Sequence, residues 1–212
     1  NGAQISSMSF GKDFSPQKSW VDEALKYAES KGVLLVHAAG NDNKNIDSTD
    51  NFPNPIYLDG KGRSSTFITV GASGDPTNGG VTASFSNYGK KEVDIFAPGV
   101  QIYSTIPGNH NYANLKGTSM STPIVTGLAA LIRSYYPELS AIQVKKVIEQ
   151  SVLKPAVTAP SIKPGSKNEA IPFSLLSRTG GIINAFQAVE SADTTKVAIA
   201  VKAPVKNTTV QP

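Results

Sequence analysis

The run Val33, Leu34, Leu35, Val36 is apolar without interruption and sits directly behind an amphipathic helix pattern. A strand with one wet face alternates in polarity. A strand that does not alternate is covered on both faces, as in a parallel sheet. The helix pattern lies in "DFSPQKSWVDEALKYAESKG". There Trp20, Val21, Ala24, Leu25 and Ala28 recur at helical spacing and are expected to form one apolar face. Ser15 suits the cap, Pro16 the first helical position and Gly32 a left-handed stop. Upstream, residues 3–10 read as a strand. Strand, helix and strand with short joints make a βαβ unit, so the chain is expected to be α/β.

The pattern continues. "STFITVGAS" (65–73) and "EVDIFAPG" (92–99) read as a third and a fourth strand. Residues 41–63 and 74–91 are rich in turn residues and read as connections. From Ser119 to about Tyr135 the sequence is apolar almost all round, which predicts a helix buried mid-domain, with Gly127 allowing close packing. Ser140 and Gln143 make a capping box that opens a helix to about Ser151. Residues 154–180 form a connection, and "GGIINAFQAV" a short strand running into a last helix. The expected architecture has three layers: a mostly parallel sheet of about four strands with helices on both faces. Residues 1–190 read as a domain portion and 191–212 as a tail or linker. The chain opens on Asn1 almost inside a strand pattern, which reads as a processed or truncated piece.

Several function classes drop out. Without cysteine there are no disulfides and no thiolate metal sites. The two histidines, His37 and His110, lie far apart, which argues against a His-rich metal centre. The net charge of +4 is spread along the chain, so no nucleic-acid partner is expected. No apolar run reaches the roughly 18 residues of a membrane span.

Two short motifs carry chemistry. In "GTSMSTP" (117–123) a serine, Ser119, opens an apolar helix behind Gly117. Helix-opening N–H groups and the helix dipole favour negative charge beside it, which suits an oxyanion. Alone, such a serine is a helix cap. In "HAAGNDN" (37–43) a buried strand ends in Ala38, Ala39 and Gly40 and then presents Asn41. The carboxyl end of a parallel strand is where such sheets bind ligands, and an amide there can donate to an oxyanion.

Together and in this order, the two motifs resemble the subtilisin-like serine protease family, the subtilases. "SSMSFG", "FSNYG", "VDIFAPG" and "GGIINAFQAV" extend the resemblance over roughly residues 1–190. It implies a serine endopeptidase that needs no cofactor for its chemistry, with Ser119 as nucleophile and Asn41 as oxyanion donor. It further implies that Ser9, Phe10 and Gly11 pair with an extended peptide or protein substrate by strand addition. Ala38, Ala39 and Gly40 would wall the pocket for the residue before the cut. Lys12 stands where the family often has a second glycine, which alters that pocket's rim. "NFPNP" resembles a loop with a cis proline after Phe52. Structural calcium is left unassigned, and the resemblance implies a secreted or cell-envelope protein.

The family's chain order is Asp, His, Ser, and its first two members precede "SSMSFG". No "DTG" and no "HGT" occurs here. His37 is expected in the core, about 13 Å along the strand from Asn41. His110 reads as exposed, and Asp94, at the start of a strand, as structural. The chain alone is therefore expected to be inactive, its missing partner being the N-terminal half of the same domain. The alternatives are a pseudoprotease or peptide-binding module, and a serine-carboxyl peptidase, which places Asp where Asn41 stands. The first strand, Gln4 to Phe10, is expected to have an unpaired edge and to dimerise or bind a peptide there.

Overall fold

A computed structural model describes residues 2–60, 62–75, 78–109, 111–156 and 161–202. Four strands run parallel in the spatial order β1 (Ile5–Met8), β2 (Leu34–Ala38), β3 (Phe67–Asp75), β5 (Ile95–Pro98). A further strand, β4 (Asn78–Thr82), returns antiparallel and pairs with the far end of β3. It falls in a stretch read as a connection, because "NGG" is turn chemistry by composition.

Alternation along the strands sorts the core into layers. Leu35 and Phe67 point to one face and meet Met8, Leu25 and Tyr57 beneath helix α1 (Lys18–Ser30). Leu34, Val36, Ile68, Val70 and Ile95 point to the other. They are covered there by α2 (Thr118–Tyr135), α3 (Ala141–Gln150) and α4 (Ala185–Lys202). A second cluster, with Ala39, Val81, Phe96, Phe173 and Leu176, closes the β5 end of the sheet. The capping box of α3 is present: Ser140 Oγ accepts from Gln143 N–H, and the Gln143 side chain accepts from Ser140 N–H. α4 crosses the 190/191 boundary and seats Ala188 and Ala192 in the core.

Several expectations need correction. Helix α2 is buried on one side only. Val125, Leu128, Ala129 and Ile132 are covered, whereas Pro123, Gly127, Ala130, Leu131 and Tyr135 are exposed. Gly127 makes no close approach: a Cβ there would meet nothing within 4 Å. On α1, Trp20 and Ala24 face outward, and the covered stripe is Val21, Asp22, Leu25 and Ala28. Asp22 is held in that stripe by Lys18 Nζ at 2.7 Å and by Leu58 N–H at 2.9 Å. Between β5 and α2, where the sequence reading placed no element, the chain forms a hairpin, β6 (Ile102–Thr105) with β7 (Tyr112–Leu115). The stretch "GGII" makes isolated bridges at Ile182 and no strand.

Asp94 is structural, as its position implied. It is fully buried, accepts from Thr69 N–H at 2.8 Å and meets three cations: Arg63, Lys145 and Arg178. Among the described residues β1 pairs with β2 alone, so its outer edge is open.

Candidate active site

Strands β1 and β2 and helix α2 end at one place. The two candidate motifs meet there in a cavity of about 280 Å³. Its lining includes Ser9, Phe10, Gly11, Ala38, Gly40, Asn41, Thr118 and Ser119. Ala39 is the exception among the expected pocket residues. It is fully buried in the second core cluster and contributes through its carbonyl, which accepts from Asn51 Nδ2 and Asn87 Nδ2 at 3.0 and 2.8 Å.

The orientation of Asn41 follows from its neighbour. Thr118 N–H, a donor only, bonds Asn41 Oδ1 at 2.8 Å, and Thr118 Oγ1 donates to the same oxygen at 3.0 Å. Thr118 Oγ1 can donate because its lone pair accepts Gly40 N–H at 3.1 Å. The amide oxygen is thus occupied, and Nδ2 donates to no partner among the described residues. Ser119 N–H, in the first turn of α2, likewise has no partner among the described residues, as expected for a helix-opening N–H. Both nitrogens flank the position that a Gly117 Cβ would take, and Met120 Sδ lies 3.6 Å from that position. A Cβ on Gly117 would lie 3.6 Å from Asn41 Nδ2 and 3.7 Å from Ser119 N. The backbone there has φ +149°, which favours glycine, so the space stays open. Thr118, fully buried, is the residue that reading by roles overlooked. Its signal was the middle letter of "GTS".

Ser119 is half-buried, and its Oγ donates to Ser9 O at 3.2 Å, while Ser9 Oγ donates to Ser119 O at 2.9 Å. This reciprocal pair ties the end of the first strand to the helix opening. Among the described residues no histidine lines the cavity. His110 lies outside the described residues. No cluster of three His, Asp or Glu side chains able to hold a metal ion occurs among the described residues.

His37 is fully buried, its ring packed 5.7 Å from that of Phe67. It nevertheless reaches the site indirectly, because Nε2–H donates to Phe10 O at 2.8 Å. That bond fixes the tautomer and leaves Nδ1 without a partner among the described residues. Burial pushes the imidazole down to about 4, against the opposing pull of the Phe10 carbonyl. A base lowered on folding takes its proton first in the unfolded chain. Stability is therefore present above pH 6.5 and lost as pH falls towards 4. The gap between 6.5 and about 4 corresponds to about 3 kcal/mol. Chemical denaturation from pH 7 to 4 should show that extra loss in the native sequence and not in His37→Gln, whose amide can still donate to Phe10 O. Equal pH slopes would contradict it.

The cis peptide expected at "NFPNP" is present between Phe52 and Pro53. Lys12 and Phe52 exchange backbone hydrogen bonds at 3.0 and 2.8 Å, which pins this loop under the cavity wall.

Comparison with known proteins matches the geometry to a family. The model of the subtilase family, Peptidase_S8, matches residues 1–181. Subtilisin BL of Lederbergia lenta is 37% identical over 151 residues, 71% of this chain and 49% of that protein. Subtilisin DY of Bacillus licheniformis is 40% identical over 146 residues, 68% of this chain and 48% of that protein. The chain thus spans about half the length of these curated relatives. The solved structure of the patellamide maturation protease PatA superposes with a TM-score of 0.68 at 27% identity, covering 91% of this chain and 64% of that one.

Proposed function

The chain belongs to the subtilase family, and on that premise we propose that it carries the nucleophile and oxyanion half of a serine endopeptidase site. The supporting observation is the nearness of two donors that have no partner among the described residues, Asn41 Nδ2 and Ser119 N–H, to the space beside Gly117. In this reading Ser119 Oγ attacks the peptide carbonyl, and the carbonyl oxygen gains its negative charge in that space. The serine proton passes to a histidine and then to the leaving amine. The acyl group stays on Ser119 until water removes it. Ser9, Phe10 and Gly11 hold the substrate backbone, and Ala38 and Gly40 wall the pocket for the residue before the cut.

The histidine and its carboxylate come from outside these 212 residues. The open edge of β1 and the exposed Phe14 and Trp20 offer the surface on which the rest of the domain would pack. We place the whole protein outside the cytoplasm on the strength of the family likeness. Among the described residues no helix is long and apolar enough to cross a membrane.

The test is a serine-directed phosphonate applied to the protein expressed from its complete reading frame. Mass spectrometry should find the adduct on Ser119, and none after Ser119→Ala. Absence of an adduct from the native protein would favour a peptide-binding module that does no chemistry.

A further inference from the structure

The motif "FSNYG" (85–89) packs behind the site and has no part in the chemistry above. Its Asn87 is buried, 1% exposed, and its side chain grips the turn that presents Asn41. Nδ2 donates to Ala39 O at 2.8 Å. Oδ1 accepts from Asp42 N–H at 3.0 Å and from Lys44 N–H at 2.9 Å. The main chain adds a fourth bond, from Asn87 N–H to Gly40 O at 2.9 Å. One residue thus binds the chain before and after Asn41, and none of the four bonds is to Asn41 itself.

The turn depends on such a hold. Gly40 has φ +100° and Asn43 φ +52°, so the backbone takes left-handed conformations on either side of Asn41 and Asp42. Positions of this kind persist where surrounding contacts fix them. The fit is close, since a Cβ on Gly40 would lie 2.4 Å from Asn87 Nδ2. The chemistry matches as well. The turn offers one carbonyl and two N–H groups, and a carboxamide can donate to the first while accepting both of the others. A donor to an oxyanion acts only at hydrogen-bond distance from the developing charge, and a misplacement of about 1 Å can cost about 10²-fold in rate.

We infer that Asn87 is a positioning residue for catalysis: it holds the 40–44 turn so that the Asn41 amide stands where the oxyanion forms. The inference rests on the protease reading above. Asn87 is not among the residues that line the cavity. It acts through Asn41, so its removal should slow the chemical step and spare binding.

The experiment uses the protein from its complete reading frame and one peptide p-nitroanilide. kcat and KM are measured for the native protein, Asn87→Ala, Asn41→Ala and the double variant, each below the onset of its own unfolding. Asn87→Ala should lower kcat by about 10- to 100-fold, with KM within about twofold of native. In the Asn41→Ala background the same substitution should change kcat by less than about threefold, because the group it positions is gone. A merely structural role would lower kcat by the same factor in both backgrounds. Equal factors would therefore overturn the inference. So would a loss confined to KM, or a kcat for Asn87→Ala within about twofold of native. Where Asn87→Ala does not fold, Asn87→Ser, which keeps a hydroxyl in the site, carries the same cycle. If neither folds, Asn87 serves the fold as a whole and the inference fails. If hydrolysis depends on Ser119 but the two substitutions act independently, this inference alone fails. If hydrolysis survives Ser119→Ala and Ser119 takes no phosphonate, the protease reading fails with it.

Discussion

Residues 1–212 expressed alone are expected to hydrolyse peptide amides about 10⁶-fold more slowly than a protein that also brings a histidine to Ser119; that size is the one found for loss of this histidine in subtilisin, a member of the same family, and is carried over from it. The reason lies in what surrounds the hydroxyl. Ser119 Oγ spends its proton on Ser9 O, a main-chain acceptor that cannot carry it away. His37 is committed to Phe10 O and held neutral by burial. Of the acids at the rim, Asp13 is bound to Lys44, and neither it nor Asp42 has an imidazole to orient among the described residues. A carboxylate acting alone is too weak a base for a serine hydroxyl near neutral pH. Turnover of one peptide p-nitroanilide by the two polypeptides measures the gap. A rate for residues 1–212 within about a hundredfold of the complete protein would overturn the reading of the site. Loss of that residual rate in His110→Ala would then identify the base.

The sheet was legible because its central strands, β2 and most of β3, are buried on both faces, and a run such as Val33 to Val36 has few other ways to fold. Ser119 and Asn41 were legible for a related reason: each follows an element whose period is clear, and both elements end at one edge of the sheet. Composition failed where it could not say what covers a face. Helix α2 counts as apolar around its circumference because Gly127, Ala130 and Leu131 score as apolar, yet its outer side has no neighbour among the described residues. Trp20 has the right spacing for the core and is still 72% exposed. The β6–β7 hairpin was hidden because its outward residues, among them Tyr103 and Tyr112, stack on each other and not on the core. Asn51, Thr118 and the reach of His37 to Phe10 depend on contacts across 12 or more residues, which no local pattern encodes.

Replacing Asn41 by alanine in the complete protein is expected to lower kcat by about 10²–10³ while leaving KM nearly unchanged; the magnitude is again that of the matching residue in subtilisin. The split between the two constants is what the geometry dictates. Asn41 Nδ2 flanks the space beside Gly117, and a ground-state carbonyl gains little there. The bond matters once the oxygen carries full charge, so its loss appears in the transition state and not in binding. The substitution also removes the oxygen that receives Thr118 N–H and Thr118 Oγ1–H. Two buried donors left without a partner should cost about 1–3 kcal/mol each at most, so denaturation is measured alongside kinetics. Asn41→Asp separates the two effects. Its carboxylate still accepts both Thr118 donors, so stability should recover, but it brings negative charge and no donor to the place where charge must form, so activity should not. Recovery of kcat in Asn41→Asp would mean that Asn41 serves only to hold Thr118, and that the oxyanion forms elsewhere.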